Sequence, residues 1–297
     1  MKSINNNILA IFNGRNFDGK KIDKLIYYLK NQSIDYIFSS ETNRFGDILK
    51  EKSSYDGYLI FGGDGSIHET INTLFGTNKW ISFFPGGTVN CISSYFKMKR
   101  SVSFIDSFLK NNQSQQVDLL KIDFYTPNNQ FTKYAMGFVA IGHMAKMTID
   151  AENYRWMPRF LRYPFVGFLS FFHIHRVTID LQNNNKTIFS KQITSLVINN
   201  CSAERFTSLQ NSDYQDGIFE YLIENNNFFS QIASIYSQYF SLVSKSNWVK
   251  SNNELKIIFN KPIPVMIDGE IYHAITNLEL SICPAAQAIK IPVKKQN

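Results

Sequence analysis

The stretch Leu59-Ile60-Phe61-Gly62-Gly63-Asp64-Gly65-Ser66-Ile67-His68-Glu69-Thr70-Ile71-Asn72 decides how the chain is read. Its opening apolar run does not alternate with polar residues, as expected of a strand buried on both faces of a parallel sheet. Three glycines around one acid follow, and Ile67, Ile71 and Leu74 then recur at helical spacing. A second unit of the same form stands at Phe83-Phe84-Pro85-Gly86-Gly87-Thr88-Val89-Asn90. Glycine lets a backbone approach a ligand closely, and a helix N-terminus aims unpaired N–H groups into the same space. Two such turns in succession predict a polyphosphate cradle. Neither follows the GxxxxGK[ST] or the GxGxxG pattern.

Individual residues in these turns have more than one use. Asp64 can orient a hydroxyl, act as a base, hold Mg²⁺ against phosphate oxygens, or simply cap a helix. Ser66 and Glu69 fit a capping box, with Ser66 as the N-cap. His68 is expected to be partly exposed. Thr88 can cap or bond a phosphate, and the amide of Asn90 reaches the same place. Further on, Pro264-Val265-Met266-Ile267-Asp268-Gly269-Glu270 sets two carboxylates on a turn of hairpin type. Asn211-Ser212-Asp213-Tyr214-Gln215-Asp216-Gly217 is an acidic turn that holds a cation or only solvent.

Outward from the first turn, Ile8–Phe12 and Ile34–Phe38 read as strands, and Trp80–Phe84 as another. Helices are expected from Asp18 onward, over 43–52, over Val89–Phe96 and over Val102–Leu109. Strands alternating with helices to about residue 110 predict an open, mostly parallel α/β sheet with ligands at its carboxyl ends. Beyond it, strand-like segments run over Val117–Phe124, Phe131–Phe138, Val177–Leu181, Ile188–Asn199, Gly217–Ile223, Glu254–Phe259, Val265–Ile267 and Leu278–Ile282. They predict a mainly antiparallel β-sandwich or barrel. Two helical stretches interrupt it, an aromatic one within 156–172, where Pro164 should break or bend any helix, and one near 228–243.

The whole chain sets bounds on these readings. Its 297 residues, 44% hydrophobic and 15% aromatic, exclude a disordered protein and allow two domains. Cys91, Cys201 and Cys283 fit no zinc spacing and suit a reducing compartment. A formal charge of +7 favours an anionic partner. No nucleic-acid motif accompanies it, so nucleic-acid binding is not expected. No apolar run reaches the length of a membrane span, and the expected location is the cytoplasm.

The order of these motifs resembles the diacylglycerol kinase catalytic-domain family of lipid kinases, with its sphingosine and ceramide kinase branches. Gly62-Gly63-Asp64-Gly65-Ser66-Ile67-His68-Glu69-Thr70-Ile71-Asn72 is similar to that family's GGDGT-x-x-E-x-x-N block, and Pro85-Gly86-Gly87-Thr88-Val89-Asn90 to its P-x-GT-x-N block. Asp118-Leu119-Leu120-Lys121-Ile122 resembles D-L-x-K-V, and Glu152-Asn153-Tyr154-Arg155-Trp156 an E-x-x-RW stretch. Asp216-Gly217-Ile218-Phe219-Glu220 resembles DG-x-L-D, and Ile267-Asp268-Gly269-Glu270 the V-D-G-E turn. The resemblance implies an ATP-binding α/β domain over 1–125, akin to NAD kinase and phosphofructokinase, to which about 284–297 returns. A β-sandwich lipid-substrate domain is implied over 126–283.

The implied activity is transfer of the ATP γ-phosphoryl group to a lipid alcohol, diacylglycerol or a sphingoid base, with Mg²⁺. The implied catalytic pair is Asp268 and Asp64, with Asp268 placed ahead as the base and Asp64 and Glu270 on metal, nucleotide or hydroxyl orientation. Nucleotide contacts carry over to Asn13, Gly62, Gly63, Gly65, Ser66, Glu69, Gly86, Gly87, Thr88, Asn90 and Glu270, with Gly19 and Lys20 in the first loop. Asp118 carries over as a substrate contact and Asp216 as a ligand of a structural Mg²⁺. Val89, where the family has glycine, and Gln215, where many members have aspartate, depart from the pattern. The arginine and aromatic residues of 156–172 suggest transient, peripheral contact with an anionic membrane surface. A homodimer, an NAD-kinase-like enzyme with a soluble substrate, and a non-catalytic nucleotide- or lipid-binding module stay open at this point.

Overall fold

The computed structural model describes residues 7–17, 22–87, 90–111, 114–154, 156–170, 172–184, 186–201, 213–224 and 248–291. The helix expected near 228–243, and residues Gly19, Lys20, Thr88 and Val89, lie outside them. The chain divides into two compact units, one built from residues up to Val117 and from Ala285 onward, the other from Asp118–Pro284.

The first unit is a parallel sheet with helices between its strands. Strands β1 (Ile8–Asn13), β2 (Asp35–Ser39), β3 (Gly57–Gly62) and β4 (Trp80–Pro85) take the order β4–β3–β1–β2. β4 also pairs in parallel with the end of β14 (Glu270–Lys290), at Ile289 against Ile81. β1 and β3 are buried almost throughout, which is why they read as unbroken apolar runs. The connecting helices are α1 (Asp23–Asn31), α2 (Phe45–Glu51), α3 (Asp64–Leu74), α4 (Cys91–Tyr95) and α5 (Val102–Asn111). Ile67, Ile71 and Leu74 are buried, as their spacing predicts, but so is His68, against the expectation of partial exposure.

The second unit is antiparallel. Its strands are β5 (Ser114–Tyr125), β6 (Gln130–Ala135), β7 (Phe138–Gly142), β8 (Val177–Asn183), β9 (Lys186–Ile193), β10 (Ser195–Asn199), β11 (Phe219–Glu224), β12 (Val249–Ser251), β13 (Leu255–Ile267) and β14. β13 serves two neighbours: Leu255–Phe259 pairs with β8, and Val265–Ile267 with β7. Residues from β5, β7, β8, β10, β11, β13 and β14 then enclose one apolar core. The first domain was expected to run to residue 125, but β5 pairs with β6 from Leu120 to Tyr125, which draws it into the second unit. Helices α6 (His143–Asn153) and α7 (Arg159–Ser170) belong to the same unit. α7 is continuous from Arg159 to Ser170, with no break at Pro164.

Candidate active site

In the first unit the site is built on phenylalanines. Phe12, Phe61 and Phe84 stand at matching register just before the ends of β1, β3 and β4, with Phe38 beside them on β2. Their rings stack at centroid distances of 5.3 Å (Phe38–Phe12), 4.4 Å (Phe12–Phe61) and 4.7 Å (Phe61–Phe84). This cross-strand ladder is a rigid apolar floor directly below the turns. Phe17, from the loop after β1, stands edge-on to Phe12 and Phe61 at 5.5 and 6.4 Å.

Above that floor the two glycine turns touch. A Cβ on Gly87 would lie 2.5 Å from the Gly63 Cα, and one on Gly63 would lie 2.9 Å from the Gly87 Cα. The Gly86 N–H donates to the Gly62 carbonyl at 2.8 Å. A Cβ on Gly62 would fall 2.5 Å from the Ser66 side chain. These glycines are needed first so that one backbone can cross another, and the result is a surface without side chains. Gly65 follows within the first turn of α3.

The polar residues of the turns are committed to their neighbours. Asp64 opens α3, and its carboxylate accepts the Cys91 and Ile92 N–H groups at 2.9 and 3.0 Å, so it caps α4. Glu69 accepts the Gly46 N–H at 3.2 Å and pairs with Arg44 at 3.4 Å, which caps α2. Ser66 is not the N-cap: α3 begins two residues earlier, behind an extended Gly63, so the capping box is not formed. Instead the Ser66 hydroxyl accepts from Asn13 Nδ2 at 3.2 Å, which ties the end of β1 to α3. Asn90 turns inward, accepting the Gly86 and Gly87 N–H groups at 3.2 and 2.7 Å and donating to the Gly87 carbonyl at 3.0 Å. Asn13, Gly62, Gly63, Gly65, Ser66, Gly86, Gly87, Asn90 and Asp64 are thus gathered in one place.

In the second unit the expected residues form a buried knot. Asp268 and Gly269 make a two-residue hairpin turn with φ of +46° and +87°, and Glu270 beyond it is exposed. The Asp268 side chain is fully buried and accepts three backbone N–H groups, from Met136 (3.0 Å), Gly137 (2.9 Å) and Phe138 (2.9 Å). This carboxylate closes the turn between β6 and β7. Asp118 is also buried and accepts the Gly217 N–H at 2.8 Å, holding the 213–217 turn. Asn200, which the sequence did not single out, joins the two: its amide donates to the Asp118 and Met136 carbonyls at 2.8 and 3.0 Å. The pair Asn199-Asn200 ends the apolar run of β10, and an amide closing a buried strand is the signal that was available. Cys201, buried beside it, has its thiol pushed well above the usual range by burial first, and then by the charges of Asp268 and Asp118. Asp216 is exposed and accepts the Ile218 N–H at 3.0 Å. Among the described residues no three His, Cys, Asp or Glu gather as a metal site, so Asp216 has no companion ligands of those kinds.

Residues 7–122, which contain the glycine turns, match the family model of the diacylglycerol kinase catalytic domain. A candidate lipid kinase of Staphylococcus carnosus is 24% identical over 237 residues, covering 73% of this chain and 71% of the relative. A second, from Staphylococcus haemolyticus, is 27% identical over 119 residues, 36% of this chain and 35% of the relative. A candidate diacylglycerol kinase from Bacillus anthracis has the same fold at a TM-score of 0.70, with 16% identity over 96% of both chains. Yeast NADH kinase, solved with NADH, is alike at a TM-score of 0.58, with 8% identity over 98% of this chain and 84% of that one. The α/β architecture of diacylglycerol kinase and NAD kinase folds is therefore the architecture of this chain.

Proposed function

We propose that the chain is an ATP-dependent lipid kinase that transfers the γ-phosphoryl group to the hydroxyl of a lipid alcohol, diacylglycerol or a sphingoid base. The observation that carries this reading is the crossing of the two glycine turns within the diacylglycerol kinase catalytic domain. A backbone surface free of Cβ atoms, beside the N-terminus of α3, suits a polyphosphate. Phosphoryl transfer needs mainly positioning and neutralisation of charge, together with a carboxylate that orients the acceptor hydroxyl. We assign that carboxylate to Asp64, which lies half-buried at the crossing, and give Asp268 the task of holding the 136–138 turn. Mg²⁺ commonly binds through one or two carboxylates and the phosphates of its nucleotide, and it enters this reading only as the companion of ATP.

No helix among the described residues is long and apolar enough to cross a membrane. Contact with a lipid substrate then falls to a surface, and the exposed aromatic side of α7 is proposed to meet an anionic membrane.

The test uses labelled ATP and Mg²⁺ with diacylglycerol, sphingosine and ceramide in mixed micelles, and with NAD and NADH as soluble acceptors. Transfer to a lipid is expected. Asp64→Asn is expected to reduce it by roughly 100-fold or more, the usual weight of a positioned proton acceptor. Transfer to NAD or NADH alone would replace the lipid reading. ATP binding without transfer to any acceptor would mark a binding module.

A further inference from the structure

The loop between α4 and α5 carries Lys97, Met98, Lys99 and Arg100. Its three cations are exposed, and one of them is held in a defined place. The Arg100 guanidinium carbon lies 5.0 Å from the centroid of the Phe17 ring. Phe17 in turn rests on the second glycine turn: a Cβ on Gly86 would lie 2.5 and 2.7 Å from its ring carbons. A cation is therefore stacked on an aromatic ring, and that ring is seated on the turn whose neighbours form the crossing. Stacking fixes the plane of a guanidinium while its N–H fork stays free to bond a phosphate.

The other arginines of this unit near the turns are neutralised. Arg15 pairs with Glu41 at 2.9 Å, and Arg44 pairs with Glu69 at 3.4 Å. Among the described residues no carboxylate pairs with Arg100. A polyphosphate bound beside Asp64 brings several negative charges next to a carboxylate, and it needs a cation that no internal acid has already claimed.

We infer that Arg100 is the phosphate-binding cation of the nucleotide site, delivered by the α4–α5 loop and aimed by Phe17. This deepens the nucleotide reading above and rests on it. Equilibrium titration with a fluorescent ATP analogue tests it without any lipid acceptor, with adenosine as a competitor that lacks phosphates. Arg100→Ala is expected to weaken ATP binding about tenfold, the size of one lost charge-assisted hydrogen bond, while leaving adenosine competition unchanged. Arg100→Lys keeps the charge and loses the fork, and should fall between the two. Unchanged ATP affinity in Arg100→Ala overturns the inference and leaves the nucleotide reading standing. Equal weakening of ATP and adenosine also overturns it, by making Arg100 a support for the loop or the base. A wild-type protein that binds no nucleotide overturns both.

Discussion

The carboxylates of Asp64 and Asp268 share one physical task, gathering backbone N–H groups that would otherwise lack acceptors. They differ in exposure, and that difference sets what a substitution reports. Asp268→Ala leaves three N–H groups buried and unsatisfied, each costing about 1–3 kcal/mol. A loss of roughly 3 kcal/mol or more is expected, a fall in thermal midpoint of at least about 6 °C for a chain of this size. Asp268→Asn exchanges one accepting oxygen for a donor and should fall between the two. Lost activity in an Asp268 variant therefore speaks of catalysis only where the midpoint is unchanged. A melting curve for Asp268→Ala that overlays the wild type would show that the turn holds without it, and would return Asp268 to the candidates for the base. Asp64 has two bound N–H groups in a half-exposed place, so Asp64→Asn is the cleaner probe of chemistry.

Among the elements, α7 offers the surface whose role is easiest to test. On α7, Leu161, Phe165, Phe168 and Leu169 recur at helical spacing and are exposed, Phe168 at 57%, and Phe172 just beyond the helix is exposed at 65%. Val166 and Ser170 on the same helix are buried. A paired Phe168→Glu and Phe172→Glu variant should keep its thermal midpoint and lose sedimentation with anionic vesicles. Sedimentation equal to the wild type would remove α7 from the membrane contact. The elements also show where the sequence could be read and where it could not. β1, β3 and β4 were legible because full burial writes an unbroken apolar run. β13 read as two strands because Lys261 and Pro262 interrupt the pattern, yet they fall where its register shifts and no regular ladder bond is required. The positions of Asp64 and Glu69 were likewise legible, but their partners were not. Whether a carboxylate serves a ligand or the first turn of a neighbouring helix depends on which helix the fold brings beside it, and no local spacing records that.

For the molecule as a whole, the first unit is completed by the end of the chain. Gln287 donates to the Lys79 carbonyl and Ser82 to the Lys290 carbonyl, each at 3.0 Å. The Lys290 ammonium lies 3.8 Å above the Trp80 ring, and burial lowers its pKa. Ile289 and Ile291 are almost fully buried. Truncation after Pro284 removes both isoleucines, worth about 1.5–3 kcal/mol each, and leaves the Ser82 hydroxyl and the Lys79 carbonyl without these partners. The sum approaches the whole stability of an ordinary domain, about 5–15 kcal/mol. The second unit is one continuous segment, Asp118–Pro284, and loses none of its own residues. Hydrogen exchange on the truncated chain should therefore show β3 and β4 unprotected while β7, β10 and β13 keep their protection. Nucleotide binding should vanish with the first pair, because the crossing turns hang from the carboxyl ends of β3 and β4. Retained protection in β3 and β4 would mean that the four leading strands hold themselves together, and that the returning segment is an attachment to the sheet and no part of its support.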